Sequence, residues 1–152
     1  MPPIIRANKN PYSAFNFIVE INSQPVAAFQ EVQGLDSENT PIEYREGPDK
    51  MNSVRKLPGL ETYPNCTMKR GITGDLYLWQ WRKEVRDGGT MFPPTRDVTV
   101  QLLNEKHEPV FRWRLINAWC CKLTGPSLNA KGNEIAIETM ELAYDRLDIV
   151  EQ

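Results

Sequence analysis

The chain has 152 residues, 25% of them charged, and a net charge of −2. That length suits one domain, which buries about 70% of the surface its unfolded form exposes. So near-neutral a balance excludes a protein whose main task is gripping nucleic-acid phosphates. No run reaches the roughly 20 apolar residues of a membrane-spanning helix. Residues 1–10 hold Pro2, Pro3, Arg6 and Lys9 but no apolar block. They read as a flexible arm on a single domain spanning residues 1–152, not as a secretory signal.

In chain order, the first strand signal is Ala14 to Ile21. Phe15, Phe17, Val19 and Ile21 fall on one parity, and Asn16 and Glu20 on the other, the period of a half-buried strand. Asn22-Ser23-Gln24 is a turn, and Pro25 to Val32 is predicted to return as the next strand, with Pro25 at its first position. Gly34 breaks the run. Residues 36–64 mix acidic residues, basic residues and four prolines. Within them Ile42–Glu46 and Ser53–Leu57 alternate around the turn Gly47-Pro48-Asp49-Lys50, which predicts a hairpin over about 42–57. It is too polar to be buried on both faces, and a lone two-stranded hairpin is marginal in water. Such an element projects and becomes ordered against a partner.

Pro64 to Gly71 reads as a strand, and the one convincing helix follows over about 73–86. Thr73 is its expected cap, Asp75 lies near its positive end, and Leu78, Trp81 and Val85 share a face. Arg82, Lys83 and Arg86 complement its C-terminal dipole, and Asp87-Gly88-Gly89 stops it. Val98, Val100 and Leu102 alternate with polar residues, then 104–108 turns. Phe111, Trp113 and Leu115 carry the next strand. A loop of Gly, Pro, Ser and Asn over 125–133 separates it from the last one. There Ile135 and Ile137 lie on one parity, and Met140, Leu142 and Tyr144 on the other, which predicts a β-bulge near Glu138-Thr139. The sum is six to eight strands and one helix. The fold class is mainly β (α+β): a β-barrel or two packed antiparallel sheets, with the helix flanking and the hairpin projecting.

No constellation carries chemistry. His107, the only histidine, sits in a charged turn, which reads as a solvated loop residue and no metal ligand. Cys66, Cys120 and Cys121 are odd in number and two are adjacent, which reads as reduced thiols of a protein made in a cytosol. Ser127 lacks the G-x-S-x-G elbow, and Gly71-Ile72-Thr73-Gly74 lacks a Gly-Lys-Ser/Thr ending, so it is a helix entry turn. Glu134, Glu138 and Glu141 read as a wetted surface. The tryptophans Trp79, Trp81, Trp113 and Trp119 read mostly as core. The expectation is no enzyme, no cofactor and no metal.

A set of phrases runs through nearly the whole chain in order. They are Asn10-Pro11-Tyr12 with Phe15-Asn16-Phe17, Phe29-Gln30-Glu31-Val32-Gln33-Gly34-Leu35, Tyr44-Arg45-Glu46-Gly47 and Arg55-Lys56-Leu57-Pro58-Gly59-Leu60. Met68-Lys69-Arg70-Gly71, Trp79-Gln80-Trp81, the Gly125–Asn133 loop and Ile137-Glu138-Thr139-Met140-Glu141-Leu142 complete it. Together they resemble the inner-tube proteins of contractile phage tails and related injection systems; vicinal Cys120-Cys121 departs from that pattern.

The resemblance implies a β-barrel subunit that forms hexameric rings, which stack into a rigid tube inside a contractile sheath. Implied partners are further copies of the chain, the sheath, baseplate and tail-terminator proteins, and DNA or protein cargo passing the lumen without sequence-specific binding. No stable membrane insertion is implied, and assembly belongs in the bacterial cytoplasm before incorporation into the particle. The hairpin residues expected to contact the next ring are Glu43, Tyr44, Arg45, Glu46, Asp49, Lys50, Arg55 and Lys56, whose mixed charges fix register. Two other readings stand beside this one: a tube-initiator or baseplate-junction paralogue of the same fold, and a monomeric ligand-binding β-barrel.

Overall fold

Among the described residues the period-two patterning becomes ten strands, with one helix packed on them. The computed structural model describes residues 12–25, 29–45, 47, 54–88 and 94–150. In chain order these form β1 (Phe17–Ile21), β2 (Gln24–Pro25), β3 (Glu31–Gln33), β4 (Glu38–Tyr44), β5 (Arg55–Thr62), β6 (Cys66–Gly71), α1 (Tyr77–Asp87), β7 (Arg96–Leu103), β8 (Pro109–Thr124), β9 (Ile137–Ala143) and β10 (Arg146–Val150). Neighbours pair in the order β2-β1-β7-β8-β9-β6-β3, with β10 also on β8, while β4 and β5 pair only with each other. The count exceeds six to eight because segments the sequence presents as single runs contribute to more than one strand. The expected return strand Pro25–Val32 is one such case: β2 pairs with β1, but β3 joins β6 on the other side of the molecule.

The 16 residues of β8 are the spine. β10 and β9 follow one edge of it in a single register, from Val150↔Arg112 through Arg146↔Ile116 to Ala143↔Trp119 and Leu142↔Cys120. β7 lies on the other edge, from Leu103↔Pro109 to Arg96↔Ala118. At the middle, Asn117 takes φ 55°, and the β7 register shifts between Arg96 and Val98. Buried positions change parity there, from Leu115 to Ala118 and Cys120, and from Leu147 to Tyr144, Leu142 and Met140. The ribbon therefore turns its faces over at this corner, with β2, β1, β7 and β10 flanking one half and β6 and β3 beyond β9 in the other.

The corner is pinned by side chains. Asp97 accepts from Arg114 Nη2 at 2.8 Å and from the Asn117 backbone N–H at 3.4 Å, and Asn117 Nδ2 donates to Asp145 at 3.1 Å. One core cluster draws Val19, Val98, Val100 and Leu115 from one half-sheet, Cys66, Met68, Met140 and Leu142 from the other, and Leu78 and Trp81 from α1. The class is thus two packed antiparallel sheets. The barrel alternative fails, because the path of strands ends at β2 and β3, which do not pair among the described residues.

The bulge is real but sits on the opposite strand from the one expected. β9 keeps its parity throughout, whereas β8 shifts register between Cys120 and Lys122. Cys121 is the extra residue. Its insertion turns Lys122 to the solvent and brings half-buried Leu123 opposite buried Met140. With Cys121 in regular register the lysine would fall on the core side. Ile135 misled the parity count because it lies in the exposed loop before β9.

α1 begins at Tyr77, later than expected, and Thr73 does not cap it. Asp75 Oδ1 instead accepts from the Tyr77 N–H at 3.0 Å, while Thr73 Oγ1 accepts from the Asp75 N–H. The apolar face is as read: Leu78, Trp81 and Val85 are buried. At the exit the Gly88 N–H donates to Glu84 O at 2.8 Å, and a Cβ on Gly88 would lie 2.8 Å from that oxygen, so close approach selects the glycine. Among the described residues no helix is long and apolar enough to cross a membrane.

Candidate assembly surfaces

β4 and β5 form a ribbon apart from the body. Pairs run from Glu38↔Thr62 to Tyr44↔Arg55, including Ile42↔Leu57 and Glu43↔Lys56. Near its root the register shifts between Asn39 and Pro41. A Cβ on Gly59 would stand 2.1 Å from Thr40 O, so only glycine admits the approach. Asn39 Nδ2 donates to Gly59 O at 3.1 Å and Thr62 Oγ1 to Glu38 O at 3.3 Å. Every residue of β4, and all of β5 but Gly59, is exposed.

The residues singled out from sequence thus fall on a projecting ribbon where described: Glu43, Tyr44, Arg45, Arg55 and Lys56 are all exposed. Glu46, Asp49 and Lys50 lie outside the described residues. A list weighted to charge missed the apolar component. Ile42 is 54% exposed and Leu57 48%, directly opposite one another, with Tyr44 at 45%. The signal was present: Ile42 and Leu57 alternate with charges in a segment with no core to fill.

Three further features are open. β1 is fully paired with β7, but on its other edge β2 covers only Glu20 and Ile21. Among the described residues β10 pairs only with β8, and β3 only with β6. The loop after β8 exposes Leu128 and Ile135, and is shaped by Asn129, whose side chain accepts from the Lys131 N–H and whose carbonyl accepts from that of Gly132. Leu76 at the N-cap of α1 and Trp79 within it are exposed, and the Arg86 guanidinium lies over the Trp79 ring at 5.7 Å. Trp79 therefore departs from the core reading given to the tryptophans, while Trp81 is fully buried.

His107 is exposed in a turn at φ 62°. Cys66 and Cys120 are unbridged, and burial pushes both thiols up to about 12, so both are neutral near pH 7. Burial likewise raises Cys121, whose thiol donates to Glu141 O at 3.4 Å. Glu138 is no wetted surface residue. It takes Arg70 Nε at 2.6 Å, with Arg70 only 2% exposed and Glu138 16%. Arg70 also donates to Asp75 O at 3.0 Å, tying β6, β9 and the entry to α1 together. Among the described residues no group of three or more His, Cys, Asp or Glu converges to hold a metal.

Residues 13–148 match the family model of the T4-like virus tail tube protein gp19. The chain belongs to that family. This tail tube protein is similar to a chain of an extracellular contractile injection system, the PVC sheath-tube complex in its extended state. Identity is 29% and the TM-score 0.83, over 94% of this chain and 93% of that one. A chain in the anti-feeding prophage cap structure, described as the AFP tube terminating cap, is 30% identical with a TM-score of 0.85, over 97% and 95% of the two chains. Hcp1 from Flavobacterium johnsoniae shares the fold at 9% identity, with a TM-score of 0.54 over 88% and 93%. No curated protein matches the chain significantly in sequence. The tail tube protein is thus a structural protein of contractile tails and injection systems.

Proposed function

We propose that the tail tube protein forms hexameric rings that stack into the inner tube of a contractile tail or injection system, with residues 1–152 acting as one domain. The observation that supports this reading is a folded body whose strand edges at β1, β3 and β10 remain open among the described residues, beside an exposed two-stranded ribbon. Joining edges head to tail around a ring satisfies backbone groups that a lone subunit leaves to water. The ribbon, with Glu43, Arg45, Arg55 and Lys56, meets the next ring, where complementary charge sets register. The sheath surrounds the tube, and terminator and baseplate proteins close its ends. Cargo passes a lumen of a subunit with net charge −2, which does not retain polyanions. The protein performs no catalysis, needs no cofactor, and assembles in the bacterial cytoplasm, where thiols stay reduced.

Electron microscopy of the purified protein tests this: rings or tubes are expected, and a strictly monomeric species at high concentration overturns it. Charge reversal at Arg45, Arg55 and Lys56 is expected to stop tube growth and leave the subunit folded; unchanged growth removes the ribbon from stacking. A second reading, a tube-end paralogue of the same fold, is favoured by the similarity to a chain of the terminating-cap structure, as great as that to a chain of the sheath-tube complex. Position in the particle, along the tube or only at its end, decides between them.

A further inference from the structure

The face of β1, β7, β8 and β10 turned away from the core carries a polar cleft of about 520 Å³. Val19, Val98, Val100 and Leu115 belong to the core, so Glu20, Thr99, Gln101, Arg112 and Arg114, which alternate with them, share the opposite face. Thr99, Gln101, Arg112 and Arg114 line the cleft, with Val150 beside Arg112. Glu20, Asn22, Ser23 and Asp97 line it toward the turn between β1 and β2. Strand pairing sorts these residues into rows. Glu20, Thr99, Arg114 and Asp148 stand in one row, and Ile18, Gln101, Arg112 and Val150 in the next. Arg114 is engaged, since its Nη2 donates to Asp97 at 2.8 Å. Arg112 has no carboxylate in its row. It forms no ion pair or side-chain hydrogen bond among the described residues, and its Nε is buried without a partner. Directly opposite, Gln101 is only 7% exposed, and its amide too has no hydrogen bond among the described residues.

Burying a polar group without a hydrogen bond costs stability, and burying part of an unpaired charge costs more. Gln101 and Arg112 carry that cost side by side, on the wall of a cleft. The carboxylates nearby do not relieve it. Asp97 is taken by Arg114 and Asp148 by Arg146 at 2.9 Å. Glu20 stands in the other row and two strands away, roughly 10 Å at ordinary strand spacing, beyond ion-pair reach. The open donors match one kind of ligand. A guanidinium has only N–H donors, set in a planar fork that fits the paired oxygens of a carboxylate or phosphate. The Gln101 amide adds N–H donors across the rung, and the Thr99 hydroxyl, next on the same face, adds another. Water satisfies an amide but brings no counter-charge to Arg112. We propose that this cleft is a binding site for a small oxyanion, a phosphate or carboxylate group, held by Arg112 and Gln101 with Thr99 beside them. The site lies within one chain, so it stands whether or not rings form.

Titration calorimetry of the full chain at low ionic strength tests it, with sodium phosphate or sodium acetate against sodium chloride. Saturable binding at one site per chain is expected for an oxyanion and not for chloride. Saturation by phosphate alone assigns a phosphoryl ligand, and by acetate alone a carboxylate; saturation by neither overturns the site. Arg112→Gln is expected to weaken binding by about tenfold or more, through loss of a charge-assisted pair of hydrogen bonds. Lys83→Gln removes the same charge from the exposed surface of α1 and is expected to leave binding unchanged. Equal loss in these two variants means an adventitious ion only and overturns the proposal. Arg112→Lys keeps the charge but not the planar fork, and is expected to bind several-fold more weakly than wild type. Wild-type affinity in either Arg112 variant overturns the role of the guanidinium. Gln101→Leu separates binding from packing. Because it deletes a buried amide that has no partner, it is expected to raise the melting temperature in chloride while weakening oxyanion binding. Binding of wild-type strength in Gln101→Leu removes the amide from the site, whatever the melting temperature does.

Discussion

The β8/β9–β10 ribbon and the β4/β5 ribbon are built by the same pairing and differ in what covers them. Each is antiparallel and each has an irregular register, at Cys121 in one and between Asn39 and Pro41 in the other. In the first, the rung Cys66–Leu142–Cys120 is fully buried, and α1 packs on β8. In the second, the Ile42–Leu57 rung stands in water. Backbone pairing alone leaves a hairpin marginal, because its net hydrogen-bond gain is small against the entropy of ordering the chain. The body draws its stability from buried side chains; the projecting ribbon leaves its apolar rung in water.

The sharpest way to break this comparison is to hollow the body. Trp81→Ala removes the largest fully buried side chain and its hydrogen bond to Pro94 O. A loss of roughly 3–5 kcal/mol is expected in chemical denaturation. A change below 1 kcal/mol would show that α1 is not part of the cooperative core.

Arg70 gives the next largest effect. Arg70→Ala strands the Glu138 carboxylate against the core, and the expected cost is about 3 kcal/mol, the low end for breaking a buried pair because Glu138 keeps some water. The double variant Arg70→Met with Glu138→Leu is expected to recover most of that loss. Equal loss in both would mean that the contact with Asp75 at the helix entry, and not the pair with Glu138, is what matters.

Much of this body was legible in the sequence, because burial on one face of a strand or helix writes a period. Leu78, Trp81 and Val85 announced the face of α1, and Phe111, Trp113 and Leu115 that of early β8. What stayed hidden was non-local. The bulge at Cys121 is one such feature: it is a property of two paired strands, and the parity change from Ile135 to Met140 points to β9 instead. Arg70 with Glu138 was invisible for the same reason: a buried pair 68 residues apart leaves no spacing to read. On the ribbon the charges drew attention and the alternating Ile42 and Leu57 did not, because apolar residues outside a core look like a strand's ordinary buried face.

Acid sharpens the comparison at the corner. Hydrogen bonding from Arg114 holds the Asp97 carboxyl below its usual range, with the Asn117 N–H acting the same way against a small opposing cost of burial. A depressed carboxylate contributes stability that is fully present above its unfolded pKa, near 3.9, and is lost as pH falls through the lower folded value. Asp97→Asn is therefore expected to lower the melting temperature at neutral pH modestly, since the side chain is 40% exposed and screened. The gap between variant and wild type should narrow as pH drops below 4. A gap independent of pH would remove the carboxylate's charge from the corner.

The smallest expected effect on the subunit is the most informative. Leu57→Ala and Ile42→Ala delete side chains that are already half in water, so each should change the stability of the dissociated subunit by no more than about 0.5 kcal/mol. The same substitutions remove the apolar surface that a second copy would bury. Their cost therefore appears only in assembly, as a higher concentration needed for tube growth by light scattering. Stability and assembly that fell together would mean the ribbon belongs to the subunit's own core. Stability unchanged with assembly impaired is the result expected of a segment whose folding is completed by a neighbour.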